Sequence, residues 1–145
     1  MNTASVLSTY FACCGEVEHE DEWIGQELDR LDSEIPQGKL GQAAETCQRL
    51  LANLEVHFAF EELVMARIAF PWAYGHQADH VELLVGLARL LHEIHGVASD
   101  PQNEQRGERM REQLCNIEHD LRFHAMRRDR PLRRYVVHTV GMIAG

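Results

Sequence analysis

The sequence predicts an all-α protein, an antiparallel up-down bundle of four helices. Three observations carry that expectation. Apolar residues recur at helical spacing, and no stretch shows the alternation of a half-buried strand. Proline and glycine divide the 145 residues into four helix-sized blocks. The connections between blocks are mostly short, as antiparallel neighbours require.

The first block places Ile24, Leu28, Leu31 and Ile35 on one face and ends at Pro36-Gln37-Gly38. The second carries Leu50, Leu54, Met65 and Ile68 and breaks at Pro71. In the third the stripe is Leu83, Leu87, Leu91 and Ile94, closed by Gly96 and Asp100-Pro101. The fourth runs through Met110, Leu114, Ile117 and Leu121, and Pro131 is expected to end or kink it. The expected organisation is an N-terminal arm over 1–15, the bundle over 16–130, and a C-terminal tail or short helix over 131–145.

Composition narrows the class. With 45% hydrophobic and 26% charged residues, the chain can bury a core of its own. No apolar run reaches the ~18 residues that would span a bilayer. Fourteen basic against 23 acidic residues give a net charge of −9, which argues against nucleic acid as a partner. Cys13, Cys14, Cys47 and Cys115 have no metal-type spacing and suit a reduced, cytoplasmic compartment. The first 15 residues have an apolar patch without a basic start, so no secretory signal is expected. Residues 16–34 hold nine acids and only Arg30, whereas residues 106–134 hold nine arginines. In an up-down bundle those two helices are neighbours, so the acidic and basic surfaces are expected to meet. The arginine-rich C-terminal region, with the tail Leu132 to Val137, also offers a surface for a protein partner. A solvated face is the plainer reading.

The chemistry lies in the histidines, of which there are nine. His57 and Glu61 are four apart and continue the apolar stripe of the second block. His76 and His80 repeat that spacing and continue the third stripe through Leu83 and Leu87. In the fourth block His124 pairs with either His119 or Asp129, each five residues away. Five positions on a regular helix separate side chains by ~140°, so each pair straddles a common direction. The direction shared by His124 and Asp129 falls within the apolar stripe, and that of His119 and His124 points away from it. His119 is therefore expected at the surface. His92, His95 and His138 lack an inward placement. A histidine or carboxylate pointed into a core needs a strong partner. Six such residues on three helices define a metal site, and their types suit zinc, iron, copper or nickel. A ferritin-like centre needs two Glu-x-x-His pairs, and only Glu16-x-x-His19 has that spacing. Phe58, Leu54 and Met65 are expected to wall the site from water.

The segment HFAFEELVMARIAFPWAYGHQADH, His57 to His80, resembles the bacterial form of the hemerythrin signature. It has the His-Phe-x-x-Glu-Glu start, Met65, the Phe70-Pro71 pair and the His-x-x-x-His end. His124 to Asp129 is similar to the family's final His-x-x-x-x-Asp element, with Leu121 three residues before the histidine. The resemblance implies a hemerythrin-like bundle holding two iron ions with a solvent-derived oxygen bridge. His76, His80 and His124 would hold one iron, and His57 with an N-terminal histidine the other. Glu61 and Asp129 would bridge them. Dioxygen would bind at the His57 iron and be held as a hydroperoxide.

His19 is the only histidine before His57 and is the expected N-terminal ligand. On a regular helix it points ~150° from the Ile24 stripe, which Glu20 or Asp21 faces better. A carboxylate ligand there, or none, are the alternatives. The implied function is reversible oxygen carriage, storage or delivery by a protein that is not an enzyme. A di-iron redox enzyme acting on peroxide or nitric oxide, or a regulator responding to oxygen, nitric oxide or iron, is the alternative.

Overall fold

A computed structural model describes the backbone of residues 2–14 and 17–144 and the side chains of residues 2–10 and 22–142. Among the described residues the protein is all-helical, with no strand. The elements are α1 (Thr3–Cys14), α2 (Val17–Glu34), α3 (Leu40–Arg67), α4 (Ala73–Ser99) and α5 (Glu104–His124). A π-helical turn (Ala125–Asp129) then joins α5 to α6 (Arg130–Ala144). Side chains cap two of the starts. The Asn2 Oδ1 accepts from the Ser5 N–H at 2.8 Å, and the Asn103 Oδ1 from the Arg106 N–H at 3.2 Å. No helix of the described residues is long and apolar enough to cross a membrane.

Consecutive helices from α2 to α5 pack on one another, and their apolar stripes meet in one core. Leu28 and Leu31 of α2 join Leu50 and Leu54 of α3, Leu83 and Leu87 of α4, and Leu114 and Ile117 of α5. On α4 the stripe is rotated slightly from expectation: Leu90 is fully buried, and Leu91 only partly. A second, smaller core lies at one end. There Val6, Leu7 and Tyr10 of α1 and Leu132 and Val136 of α6 close over Met65, Ile68 and Phe70. The apolar patch near the N-terminus is thus the buried face of a helix.

Of the two expectations for the chain after Pro131, a tail or a short helix, the structure has the helix. In the π turn the Arg130 N–H donates to the Ala125 carbonyl five residues back, and the chain continues into α6. Pro131 falls in the first turn of α6, where its missing N–H and fixed φ are tolerated.

Of the acids expected to meet the arginines, the side chains of Glu16, Glu18, Glu20 and Asp21 lie outside the described residues. The buried Glu27 of α2 pairs with Arg49 of α3 at 2.9 Å and with Arg30 of its own helix at 3.5 Å. Among the described residues, arginines of the fourth helix reach back to α4, Arg109 to Glu93 and Arg128 to Asp79. Where α2 meets α5, Glu118 faces Asp32; burial and that second carboxyl push the Glu118 pKa up to about 7.

Two helix ends use the same Schellman turn with different residues. After α2 the Lys39 N–H donates to the Glu34 carbonyl and the Gly38 N–H to that of Ile35, with Gly38 at φ +71°. After α3 the Phe70 N–H donates to the Met65 carbonyl and the Ala69 N–H to that of Ala66, with Ala69 at φ 51°. A left-handed residue with a Cβ costs about 1–2 kcal/mol. Gly38→Ala is therefore expected to lower the thermal midpoint and Ala69→Gly to raise it, each by a few degrees. Equal shifts of one sign in calorimetry would contradict the assignment of these two turns.

Candidate metal centre

Three helices each deliver a pair of polar side chains to the layer between the two apolar cores. On α3, His57 and Glu61 lie one turn apart, flanked by the buried Phe58 and Val64. On α4, His76 and His80 precede Leu83 on the inward face. His124 ends α5 and Asp129 ends the π turn. Glu61, His76, His80 and His124 are all but fully buried, with exposures of 4% or less. One ligand atom from each of these four lies within 4.8 Å of every other, so the group can hold a metal ion.

The two carboxylates sit between the imidazoles. The Glu61 Oε1 stands 3.0 Å from His57 Nε2, while its Oε2 is 3.2 Å from His76 Nε2 and 3.0 Å from His80 Nε2. The Asp129 Oδ1 is 3.2 Å from His76 Nε2 and 3.1 Å from His124 Nε2, but out of line for a hydrogen bond to either. His80 is clamped on three sides. Its Nδ1 faces the Glu62 Oε1 at 3.0 Å, and the Phe58 ring stacks on it at 3.9 Å, nearly parallel. Phe58 provides the expected wall; Leu54 lies deeper in the larger core and Met65 in the smaller one.

The electrostatics are those of a site waiting for positive charge. Burial opposes ionisation of Glu61, but the hydrogen bonds of His57, His76 and His80 outweigh it and hold the carboxyl well below its usual range. Burial and the Glu61 charge oppose ionisation of Asp129, yet its short contacts to His124 and His76 hold it low as well. Burial disfavours charge on His76, and the two carboxylates overcome that, raising its pKa from 6.5 to about 9. Protons on imidazole thus offset the buried anions. The His76 Nδ1, both His124 ring nitrogens and the Asp129 Oδ1 are buried without a hydrogen bond among the described residues. Unsatisfied buried donors and acceptors of this kind cost about 1–3 kcal/mol each. A cation among them would use the Nε2 and Oδ1 lone pairs directly, so the residues fit a metal.

The structure brings together His57, Glu61, His76, His80, His124 and Asp129. The His19, Glu20 and Asp21 side chains lie outside the described residues, as does the arrangement of Cys13 and Cys14. His92, His95, His119 and His138 are exposed. Cys47 and Cys115 are free, and burial pushes the Cys47 thiol up to about 12. Sequence reasoning missed Glu62 and the Asp79–Arg128 pair (2.7 Å), whose carboxylate lies 3.7 Å from His124 Nδ1. The signal was available: an acid directly follows Glu61, and another directly precedes His80. A cavity of about 300 Å³, lined by Leu28, Phe58, Leu121, Met126, His124 and Asp129 among others, adjoins the centre between α2 and the π turn. A larger groove of about 520 Å³ between α4 and α5 touches none of the centre's residues.

Compared with protein-family models, with curated proteins and with solved structures, the chain matches none.

The raised His76 pKa fixes the sign of a pH dependence. In metal-free protein its contribution to stability is complete below pH 6.5 and is lost as pH rises through about 9. The lowered Glu61 and Asp129 contribute above the ordinary carboxylate range and lose that contribution on acidification. A bound cation competes with the imidazole protons, so its affinity rises over the same alkaline interval. Thermal melts at pH 6.5, 7.5 and 9 are expected to fall without metal, while the stabilisation given by added metal grows with pH. A metal-independent profile would count against the centre.

Proposed function

We propose that the chain is a hemerythrin-like, non-haem di-iron protein that binds dioxygen reversibly, as a carrier, store or delivery agent. In this reading α2 to α5 are the four helices of an up-down bundle. The observation that carries it is the division of Glu61, whose two oxygens face His57 on one side and His76 and His80 on the other. A carboxylate so placed suits two cations better than one. His76, His80 and His124 would hold one iron, with Glu61 and Asp129 bridging to a second held by His57 and a ligand from the start of α2. His19 is the proposed ligand there, with Glu20 or Asp21 as the alternative.

A ferrous pair supplies the electrons that oxygen binding draws on. The chain's own residues supply everything around it. Glu61 and Asp129 are low-pKa anions that would offset half of the four positive charges of such a pair in a largely buried layer. Glu62 accepts from His80 Nδ1 and so presents the Nε2 lone pair inward, the usual arrangement for a ligating imidazole. Phe58, with Leu28 and Leu121, lines the cavity beside His124 with apolar surface, slowing water and proton access while admitting a small uncharged molecule.

The protein is expected to bind two irons per chain, and His80→Ala to lose most of that iron while the exposed His92→Ala keeps it. Equal iron in both variants, measured by elemental analysis, would remove the ligand assignment. The function itself is tested by the visible spectrum of the ferrous protein, exposed to air and returned to nitrogen. A charge-transfer band that comes and goes with oxygen is expected. Immediate irreversible conversion to a ferric spectrum would overturn carriage in favour of redox chemistry with peroxide or nitric oxide.

A further inference from the structure

The centre lies between two apolar cores, and a hydrated cation has no way through either. An acidic approach lies between α4 and α5. A cleft of about 180 Å³ between α4 and the end of α5 is lined by Asp79, Glu82, Asp120, Phe123, Arg127 and His124. His124 is its inner wall and is 96% buried by side chain, since only 4% is exposed. Its Nε2 faces Asp129 in the centre, and its Nδ1 lies on the Asp79 side, 3.7 Å from the Asp79 Oδ2, with no hydrogen bond among the described residues.

The cleft's acids are not equally available. Asp79 is held by Arg128 at 2.7 Å. Glu82 and Asp120 are exposed and carry no hydrogen bond or ion pair among the described residues. Arg127, the one other cation in the lining, places its guanidinium over the Phe123 ring at 5.5 Å. The cleft therefore presents two exposed carboxylates without an ion pair outside, and inside a buried imidazole nitrogen that has the Asp79 carboxylate at 3.7 Å but no hydrogen bond. Converging carboxylates concentrate cations at a mouth and raise their on-rates. Hard divalent ions accept carboxylate oxygens with water retained, and an imidazole nitrogen is a ligand that a borderline ion then prefers.

We propose that this cleft is the entry port for the centre's divalent cation, with Glu82 and Asp120 as an outer, transient site and His124 as the group shared by port and centre. This rests on the metal-centre reading above and assigns residues outside the ligand set. The outer site would be weak, since its two carboxylates are exposed and leave most of the ion's water in place.

The test is the rate at which metal-free protein takes up cobalt(II) in a stopped-flow instrument, read from the visible d–d absorbance of the loaded centre. Glu82→Gln with Asp120→Asn is expected to slow uptake about tenfold at low ionic strength and to leave final occupancy and band positions unchanged. Added salt should slow the wild type towards the variant. Both positions are exposed, and a matching circular dichroism melt establishes that the variant folds. Uptake by the variant at the wild-type rate overturns the port. A variant that loses occupancy and rate together also overturns it, because the acids would then serve the centre's stability. Wild-type protein that takes up no cobalt at equilibrium overturns the metal-centre reading instead, an outcome separate from any difference in rate.

Discussion

Two carboxylates and four imidazoles share a layer largely shielded from water, and the rest of the molecule is arranged around making that tolerable. A charge moved without a partner into such a layer costs several kcal/mol even after relaxation. Glu61 and Asp129 avoid that cost only because each touches two or three histidines, and because His76 is drawn towards its charged form. No helix can supply this alone. Glu61 of α3 stands near 3 Å from His76 and His80 of α4, and His76 from Asp129 of the π turn, so the layer ties the positions of α3, α4 and the end of α5 together. The larger core below and the smaller core above then exclude solvent from both sides.

The π turn is the local device that completes the layer. On a regular helix His124 and Asp129 would diverge by ~140°. Hydrogen bonding five residues back brings residues five apart to one side, and Asp129 Oδ1 consequently stands 3.1 Å from His124 Nε2. The same turn sets Pro131 at the start of a new helix and swings Leu132 and Val136 into the upper core, where α1 meets them. One inserted residue thus serves the centre and its lid together. Ala69 at φ 51° lies at the same end, closing α3 just before the loop that leads to His76. Such strain persists where surrounding structure over-determines it, and here Met65 and Phe70 on either side of the turn are both buried in the upper core.

The helices and the inward polar residues were legible because both follow one periodicity. Leu50, Leu54, Glu61 and Met65 share a face by spacing alone, and so do His76, His80, Leu83 and Leu87. What escaped was everything that departs from 100° per residue or depends on neighbours far along the chain. Pro131 read as an end or a kink because a regular helix cannot accommodate it in mid-course, and the register change before it is what lets a further helix follow. The five-residue interval from His124 to Asp129 was itself the signal of a π turn, read instead as two sides of a stripe. Helix α1 was obscure because its buried residues, Val6, Leu7 and Tyr10, face a surface made by the ends of α3 and α6. Charge totals could not point to the pair of Glu27 with Arg49, because they ignore which helix lies beside which.

The asymmetry around His124 follows from the same packing. On its Nε2 side stands Asp129, where a mainly apolar cavity of Phe58, Leu28 and Leu121 with Arg122 and Arg130 at its rim adjoins the ring; on its Nδ1 side are Asp79 and an acidic cleft. An apolar passage admits small uncharged molecules and rejects ions, since stripping an ion of water without replacement costs far more than the passage returns. An acidic cleft does the opposite, collecting cations and offering nothing to an apolar solute. Because the ring is fixed at the junction of α5 and the π turn, the two approaches meet at one side chain without merging. On the proposed function, a centre buried between two cores would in this way keep the route of its metal apart from the route of its ligand, with no moving part beyond the side chains that line each path.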